Sequence, residues 1–176
     1  MNETPPHDAM LRIVPLATPD DRQAFRQLNE AWISGLFALE ATDHLLLNDP
    51  DGQFIAPGGQ VYMAHLGTQA VGCVALRPEG SGVFEVSKMA VGPAAQGRGI
   101  GRTLLAHAIA QAPALGATRL VLASNTRLGP AVHLYESLGF RHLAPHERPE
   151  TPYTRADVFM ALDLPSHSTS GVLATH

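Results

Sequence analysis

The chain has 176 residues, of which 45% are hydrophobic and 16% are charged, and its net charge is −4. These values predict one folded domain with a sizeable core, and the lack of a basic cluster argues against nucleic acid as a partner, since phosphates are bound by Lys and Arg. The lone Cys73 cannot form an internal disulfide, and no apolar run suits a signal segment or a membrane span, so we expect a cytoplasmic protein without a membrane partner.

The two ends of the chain lack the periodicity of regular structure. Residues 1–10 and 165–176 are expected to form a flexible arm and a flexible tail around a domain of residues 11–164. Within the domain, Leu11–Leu16 is predicted to be an edge strand, because Pro15 cannot donate a hydrogen bond to a neighbouring strand.

The next elements alternate between helical and extended patterns. Thr18-Pro19-Asp20-Asp21 combines a capping hydroxyl, a proline and acidic residues, which predicts the start of a helix. A short second helix is expected around Leu45–Leu47, followed by a break at Asn48-Asp49-Pro50-Asp51-Gly52. The later elements are predicted as a hairpin of Gln60–Leu66 and Ala70–Leu76, a loop at Pro78–Gly82, a strand at Val83–Val91, a helix ending near Gly116, a strand at Leu120–Ala123, a helix between Gly129 and Gly139, and strands at Phe140–Leu143 and Asp157–Leu164. Pro113 predicts a tightened or kinked last turn in the helix that ends near Gly116.

A glycine-rich turn lies at the centre of this pattern. The sequence Gln96-Gly97-Arg98-Gly99-Ile100-Gly101 joins the strand Val83–Val91 to a helix whose apolar residues repeat at helical spacing. Alternate glycines allow the backbone to approach a bulky anion closely, and the unpaired N–H groups of a helix N-terminus attract negative charge. The turn therefore predicts a phosphate or pyrophosphate site.

Two common phosphate-binding motifs do not fit the turn. A P-loop needs Lys and Ser or Thr where Arg98 and Gly99 stand, so magnesium-dependent nucleotide binding is disfavoured. The dinucleotide fingerprint needs glycine at Arg102 and an acidic residue about twenty positions later, and both are missing.

The remaining pattern, Gln-x-x-Gly-x-Gly between a strand and a helix, resembles the signature of the GNAT superfamily of N-acetyltransferases. Asn125 after the next strand, and the run from Ala131 to Phe140 ending in Leu-Gly-Phe, are similar to later motifs of that family in order and spacing. The resemblance implies an α/β fold with a mixed, mostly antiparallel, centrally splayed sheet and helices on both faces. It also implies acetyl transfer from acetyl-CoA to a primary amine by direct attack.

The resemblance assigns most of the acetyl-CoA contacts to the turn and the strand before it. Turn amides would hold the pyrophosphate, and backbone groups at the strand end would bind the pantetheine arm and polarise the carbonyl. The implied cofactor-binding residues are Met89, Ala90, Val91, Gln96, Gly97, Arg98, Gly99, Ile100, Gly101, Arg102, Thr103 and Asn125. Asn125 has a second interpretation, since its side chain could cap the strand end and the following turn instead.

Two residues match catalytic positions of the family. Glu85 lies eleven residues before Gln96, where histone-type members carry a catalytic glutamate, so it could act as base, directly or through water, or bind the acceptor's charge. Tyr135 matches a tyrosine near the cofactor sulfur, and a phenol can protonate a departing thiolate. Either side chain could also be structural.

The acceptor site follows from fold-level analogy alone. Trp32, His44, Tyr153 and Arg155 fall where the family places its acceptor cleft, and Arg155 would suit a carboxylate unless it pairs with Asp157 or Glu150. The histidines lack metal-ligand spacing, so no metal is expected. The expected partner is a small-molecule or peptide amine, and the protein is predicted to be a monomer or homodimer. The alternative function is a non-catalytic acyl-CoA-binding module.

Overall fold

The computed structural model describes residues 10–165, so nearly all of the expected arm and tail lie outside the described residues. The strands are β1 Leu11–Pro15, β2 Gln60–Leu66, β3 Gln69–Gly80, β4 Val83–Val91, β5 Arg119–Ser124, β6 Arg141–His142 and β7 Val158–Asp163. The α-helices are α1 Pro19–Leu36, α2 Ala41–Asn48, α3 Ile100–Gln111 and α4 Gly129–Ser137. None of the helices in residues 10–165 is both long and apolar enough to cross a membrane.

The strands form one mixed sheet in the order β1-β2-β3-β4-β5-β7-β6. Every neighbouring pair is antiparallel except β4 and β5, which run parallel. β1 lies at one edge of the sheet, as Pro15 predicts. The expected fold class, a mostly antiparallel α/β sheet, is therefore confirmed.

Helices cover both faces of the sheet. On one face, Leu104, Leu105 and Ala108 of α3 pack with buried strand residues such as Leu76 and Leu120. On the other face, Phe25 of α1 and Leu46 of α2 pack against Met63 and Ala75. Burial of apolar area at about 25 cal/mol per Å² makes these two clusters the main source of stability.

Local capping signals fix the ends of α1 and α3 as predicted. Asp21 Oδ2 accepts from the backbone N–H of Thr18 at 3.2 Å, while the Thr18 hydroxyl accepts from the N–H of Asp21 at 3.1 Å, which completes a capping box. Pro113 ends the regular α-helix, and the chain continues as a tight 3₁₀ turn, Ala112–Leu115.

Three differences from the sequence prediction exceed one residue at an element's end. The expected break around Asp49–Gly52 leads directly into a π-helical turn, Asp51–Ile55, because Phe54 is fully buried edge-on against Phe25. β3 continues to Gly80 across an irregularity at Pro78, through the expected loop. β6 is shorter than predicted, with only two residues in register with β7.

Candidate active site

The sheet opens at its centre, where β4 and β5 part. Only Val83–Glu85 pair with Arg119–Val121, and both strands continue beyond these residues without pairing to each other. A cavity of about 250 Å³ lies at the opening, and residues 86–91 of β4 form one wall of it. The other walls include Ala123, Ser124 and Asn125 after β5, together with Tyr135 of α4.

A bulge in β4 shapes the cavity wall. Cys73 and Ala75 of β3 are two residues apart, yet they face Ala90 and Ser87, which are three apart, so β4 carries one extra residue. Lys88 accommodates this residue with a φ of 52°, which is unusual for a residue other than glycine. The backbone groups of Met89, Ala90 and Val91, which the family resemblance assigns to acetyl-CoA, thus lie on a bent strand beside the cavity.

A chain of hydrogen bonds supports the bulge from the α1 face. The Cys73 thiol donates to the carbonyl of Lys88 at 3.3 Å, and the Asn29 amide donates to Cys73 Sγ at 3.3 Å. The indole of Trp32, which lines the cavity, donates to Asn29 Oδ1 at 3.1 Å. Burial raises the pKa of Cys73 to about 12, so its thiol remains protonated and can donate.

The glycine turn lies next to the cavity and has the backbone shape that an anion site needs. Gly97 and Gly99 have φ values of 80° and 73°, and Gly99 is the N-cap of α3. The Gln96 side chain lines the cavity and donates to the carbonyl of Val91 at 3.2 Å, which ties the turn to the end of β4. The first N–H groups of α3 have no intrahelical acceptors and remain available to a ligand.

Other predicted turn residues have different surroundings. Arg98 is exposed, and Arg102 is exposed while donating to the Ser137 hydroxyl on α4 at 2.8 Å. The Thr103 hydroxyl donates to the carbonyl of Gly99 at 3.0 Å. Ile100 is buried in the core, and Gly101 is half-buried in the first turn of α3. The backbone groups of the turn and the exposed Arg98 beside them therefore remain the predicted anion contacts.

Tyr135 lies on the cavity wall with its ring tilted against Phe140 at 6.0 Å between centroids. No residue from 10 to 165 hydrogen-bonds to its hydroxyl. Burial raises the pKa of Tyr135 to about 12, which keeps the phenol protonated at neutral pH. A protonated phenol on the cavity wall is the form that can act as a general acid.

Glu85 is half-buried on β4 opposite Arg77, just outside the cavity lining. Burial raises its pKa, and the charge of Glu79 adds to the increase. Its charge also acts on Lys88 and Tyr153, which line the cavity. Glu85 therefore lies next to the cavity-lining residues of β4 without lining the cavity itself.

A buried charged cluster forms another part of the cavity wall. Lys88 Nζ donates to Asp43 Oδ1 at 2.6 Å and to the Tyr153 hydroxyl at 3.0 Å. Arg155 donates to both Asp43 oxygens at 2.8 Å and to Glu40 at 3.1 Å. We define these five residues, Glu40, Asp43, Lys88, Tyr153 and Arg155, as the charged cluster.

Burial and hydrogen bonding compete within the charged cluster. Burial alone would raise the pKa of Asp43, but the bonds from Arg155 and Lys88 outweigh it and lower the pKa. Burial lowers the pKa of Lys88 against the opposing effect of Asp43. Burial and the nearby charges of Asp43 and Glu85 raise the pKa of Tyr153, which stays a neutral phenol.

The predicted acceptor residues do not all meet at the cavity. Trp32, Tyr153 and Arg155 line it, whereas His44 is exposed on α2 and does not. Arg155 pairs with Asp43 and Glu40, and not with Asp157 or Glu150 as its alternative interpretation proposed. Asn125 lines the cavity, and its side chain also caps the strand end by donating to the carbonyl of Arg155 and accepting from the N–H of Arg127.

Sequence reasoning missed Asp43, Lys88, Ser87 and Phe37. A signal for Lys88 was present, because it falls in the run of alternate buried positions Phe84, Val86, Lys88 and Ala90 along β4. A charged side chain at such a position needs a buried partner. No metal-binding group of three His, Cys, Asp or Glu side chains forms within the described part of the chain.

Comparison with known proteins gives a consistent result. The model of the acetyltransferase (GNAT) family matches residues 22–140. An uncharacterized N-acetyltransferase of Schizosaccharomyces pombe is 31% identical over 153 residues, which are 83% of this chain and 90% of that protein. The uncharacterized N-acetyltransferase YjgM of Escherichia coli is 28% identical over 81% of this chain and 88% of its own length.

Solved structures share the fold at lower sequence identity. An acetyltransferase from Streptococcus agalactiae has a TM-score of 0.77 at 19% identity, covering 88% of this chain and 98% of that one. YncA of Salmonella typhimurium, solved with its cofactor acetyl-CoA, has a TM-score of 0.68 at 22% identity, covering 93% of this chain and 99% of that one.

Proposed function

Because this chain belongs to the acetyltransferase (GNAT) family and is an acetyl-CoA-dependent acyltransferase, we propose that its acceptor is a primary amine of a small molecule or peptide. The amine attacks the thioester carbonyl directly, without a covalent acyl-enzyme. The amide forms as the carbon–sulfur bond breaks, the amine proton leaves, and the thiolate of coenzyme A takes up a proton.

The observation that carries this proposal is the cavity in the opened sheet. It connects the glycine turn, through Gln96 and Val91, with the charged cluster, through Lys88, Tyr153 and Arg155. A ligand held by the turn amides can therefore extend along β4 toward a polar site with room for a second substrate. Backbone groups of Met89, Ala90 and Val91 on the edge of β4 that β5 leaves unpaired are the candidates to bind the pantetheine arm and polarise the acetyl carbonyl.

Two side chains support the proton transfers in this mechanism. Tyr135 is a neutral phenol on the cavity wall, so we assign it the protonation of the departing thiolate. Glu85 has a raised pKa and lies beside Lys88 and Tyr153, so we assign it the amine proton, taken up through water. A base with a raised pKa is better matched to neutral pH than an ordinary glutamate.

Thiol release in a panel of amines, amino acids, polyamines, aminoglycosides and peptides tests the proposal. At least one amine should release coenzyme A at a rate well above background hydrolysis, with the acetylated amine identified by mass spectrometry. Binding of acetyl-CoA without transfer to any panel member would instead favour an acyl-CoA-binding module. An acylated alcohol or thiol as the only product would contradict the amine assignment.

A further inference from the structure

Protein donors occupy most of the acceptor positions on the carboxylates of the charged cluster. Asp43 Oδ1 accepts from Lys88 at 2.6 Å and Arg155 at 2.8 Å, and Oδ2 accepts from the N–H of Glu40 at 2.9 Å and from Arg155 at 2.8 Å. An ionised carboxylate offers about four acceptor positions, so Asp43 has none left. Glu40 accepts from Thr154 on one oxygen and from Arg155 on the other. These two side chains offer little to a ligand ammonium.

The donors of the same cluster are not fully engaged. The Lys88 ammonium has three N–H groups, of which Asp43 and Tyr153 accept two. Tyr153 accepts from Lys88, so its own hydroxyl hydrogen is free to donate. Ser87 Oγ is buried on the cavity wall without a partner in residues 10–165, and no acceptor in that range takes the remaining hydrogens of Lys88 and Tyr153.

From this surplus of donors we infer that the acceptor carries a carboxylate as well as its amine, and that Lys88 and Tyr153 bind that carboxylate. Buried donors need acceptors, and charge-assisted hydrogen bonds to an ionised group are about twice as strong as neutral ones. The cations Lys88 and Arg155 balance the charges of Asp43 and Glu40, so the cluster has no net charge to repel an anion. This inference rests on the proposed function.

The same surroundings suit the other parts of such a molecule. Glu85 forms no ion pair within the described residues, and its charge acts on Lys88 and Tyr153, so it can also attract the acceptor's ammonium. The rings of Trp32, Phe37 and Tyr153 line the cavity and offer apolar area. The structure therefore favours a zwitterionic acceptor of the amino-acid type with an apolar side chain.

A binding experiment tests the carboxylate site without catalysis. Trp32 is the only tryptophan in the chain and lines the cavity, so its fluorescence reports on ligands there. We expect 3-phenylpropionate to bind at least about tenfold more tightly than its neutral amide, a ratio in the range of one charge-assisted hydrogen bond. Equal affinity of the two compounds would overturn the inference.

Variants assign the preference to particular residues. Tyr153→Phe keeps the ring and deletes the hydroxyl, and Lys88→Met removes the ammonium while keeping a long side chain. Both should reduce the preference for the carboxylate to less than about threefold. Tyr62→Phe is the matched control, because Tyr62 is buried beside His107 on the α3 face of the sheet, away from the cavity. Retention of the preference in a folded Tyr153→Phe variant would contradict the assignment.

Turnover separates failure of this inference from failure of the proposed function. For the parent and each variant, kcat/KM is measured with L-phenylalanine and with phenethylamine. The fold-loss in kcat/KM from parent to variant is then compared between the two substrates, so that the amines' own pKa values cancel. We expect the loss to be at least about tenfold larger with L-phenylalanine. Equal losses would refute the carboxylate site while amine acetylation stands. Acetyl-CoA binding with no amine acetylated would refute both.

Discussion

Replacing Asp43 by asparagine should destabilise the fold far more than the same replacement at Asp163, although both ion pairs are equally short. The Asp43–Lys88 and Asp163–Arg119 contacts are both 2.6 Å. Their environments differ, because the first pair is 0% and 3% exposed and the second 61% and 41%. Asparagine keeps the shape of aspartate, so each replacement removes a charge that is buried among several hydrogen-bond donors at Asp43 and exposed beside one donor at Asp163.

The expected magnitudes follow from that difference. Removing one partner of a buried ion pair costs about 3–5 kcal/mol of stability, because the other charge stays buried without its partner. In Asp43→Asn that charge is the Lys88 ammonium. An exposed pair is worth about 0–1 kcal/mol. For a domain of this size, each kcal/mol lost from the free energy of unfolding lowers Tm by about 2–4 °C, so Asp43→Asn should lower Tm by roughly 6–20 °C. Lys88→Met added to Asp43→Asn should recover about 1 kcal/mol or more, because it removes the unpaired ammonium.

Urea unfolding at several pH values measures these losses as free energies. The folded pKa of Asp43 is lowered below its unfolded value, so its contribution is complete above about pH 4 and is lost as pH falls through the lowered folded pKa. The difference in the free energy of unfolding between the parent and Asp43→Asn should therefore be constant near neutrality and decrease only in acid. A loss for Asp43→Asn within about 1 kcal/mol of that for Asp163→Asn would refute the reasoning.

Three further substitutions test the roles assigned at the cavity. Tyr135→Phe should lower kcat by roughly ten- to a thousandfold with the Kd for acetyl-CoA little changed, and an unchanged kcat where chemistry is rate-limiting would leave Tyr135 structural. Gly99→Val forces a β-branched residue to a φ of 73° and should abolish the increase in Tm that acetyl-CoA causes. The control Gly67→Val introduces a similar strain, at a φ of 60° in the β2–β3 turn, and should keep that increase in Tm. In the parent, kcat/KM should rise with pH as Glu85 ionises, at a higher pH than for an ordinary glutamate because its pKa is raised. Glu85→Gln should lose this rise, and its kcat/KM near neutrality should be about 10² lower than the parent's. The activity of Glu85→Gln should recover toward pH 10, where the amine loses its proton to solvent. If kcat/KM were instead reduced equally at every pH through a higher KM, Glu85 would be a residue that binds the acceptor and not a base.

The features that the sequence predicts well are those set by neighbouring residues. Thr18 to Asp21 carry the whole capping signal of α1, and the glycines at 97 and 99 adopt the positive φ values that only glycine reaches readily. Pro113 ends a helix through its own ring and missing N–H. Such signals act within one turn of chain, so no knowledge of the tertiary structure is required.

Features that depend on distant partners were beyond sequence reasoning. The bulge at Lys88 is defined by the register of β4 against β3, and a single strand contains no record of that register. Arg155 meets Asp43 across 112 positions of sequence, so no spacing rule connects them. The π-helical turn after Pro50 forms where local signals predict only a break, because burial of Phe54 outweighs them.

The parting of β4 from β5 also bears on resistance to aggregation. A strand without a partner is normally a template for another chain, and this sheet has two such edges in its middle as well as those at its ends. The inner edges face each other in a wedge, because Val83–Glu85 remain paired with Arg119–Val121. A foreign β-strand needs about 4.8 Å on each side to pair and carries side chains on both faces, so it would have to break those remaining pairs. A narrow ligand chain can enter without breaking those pairs. The opening thus admits small molecules while resisting addition of another polypeptide strand.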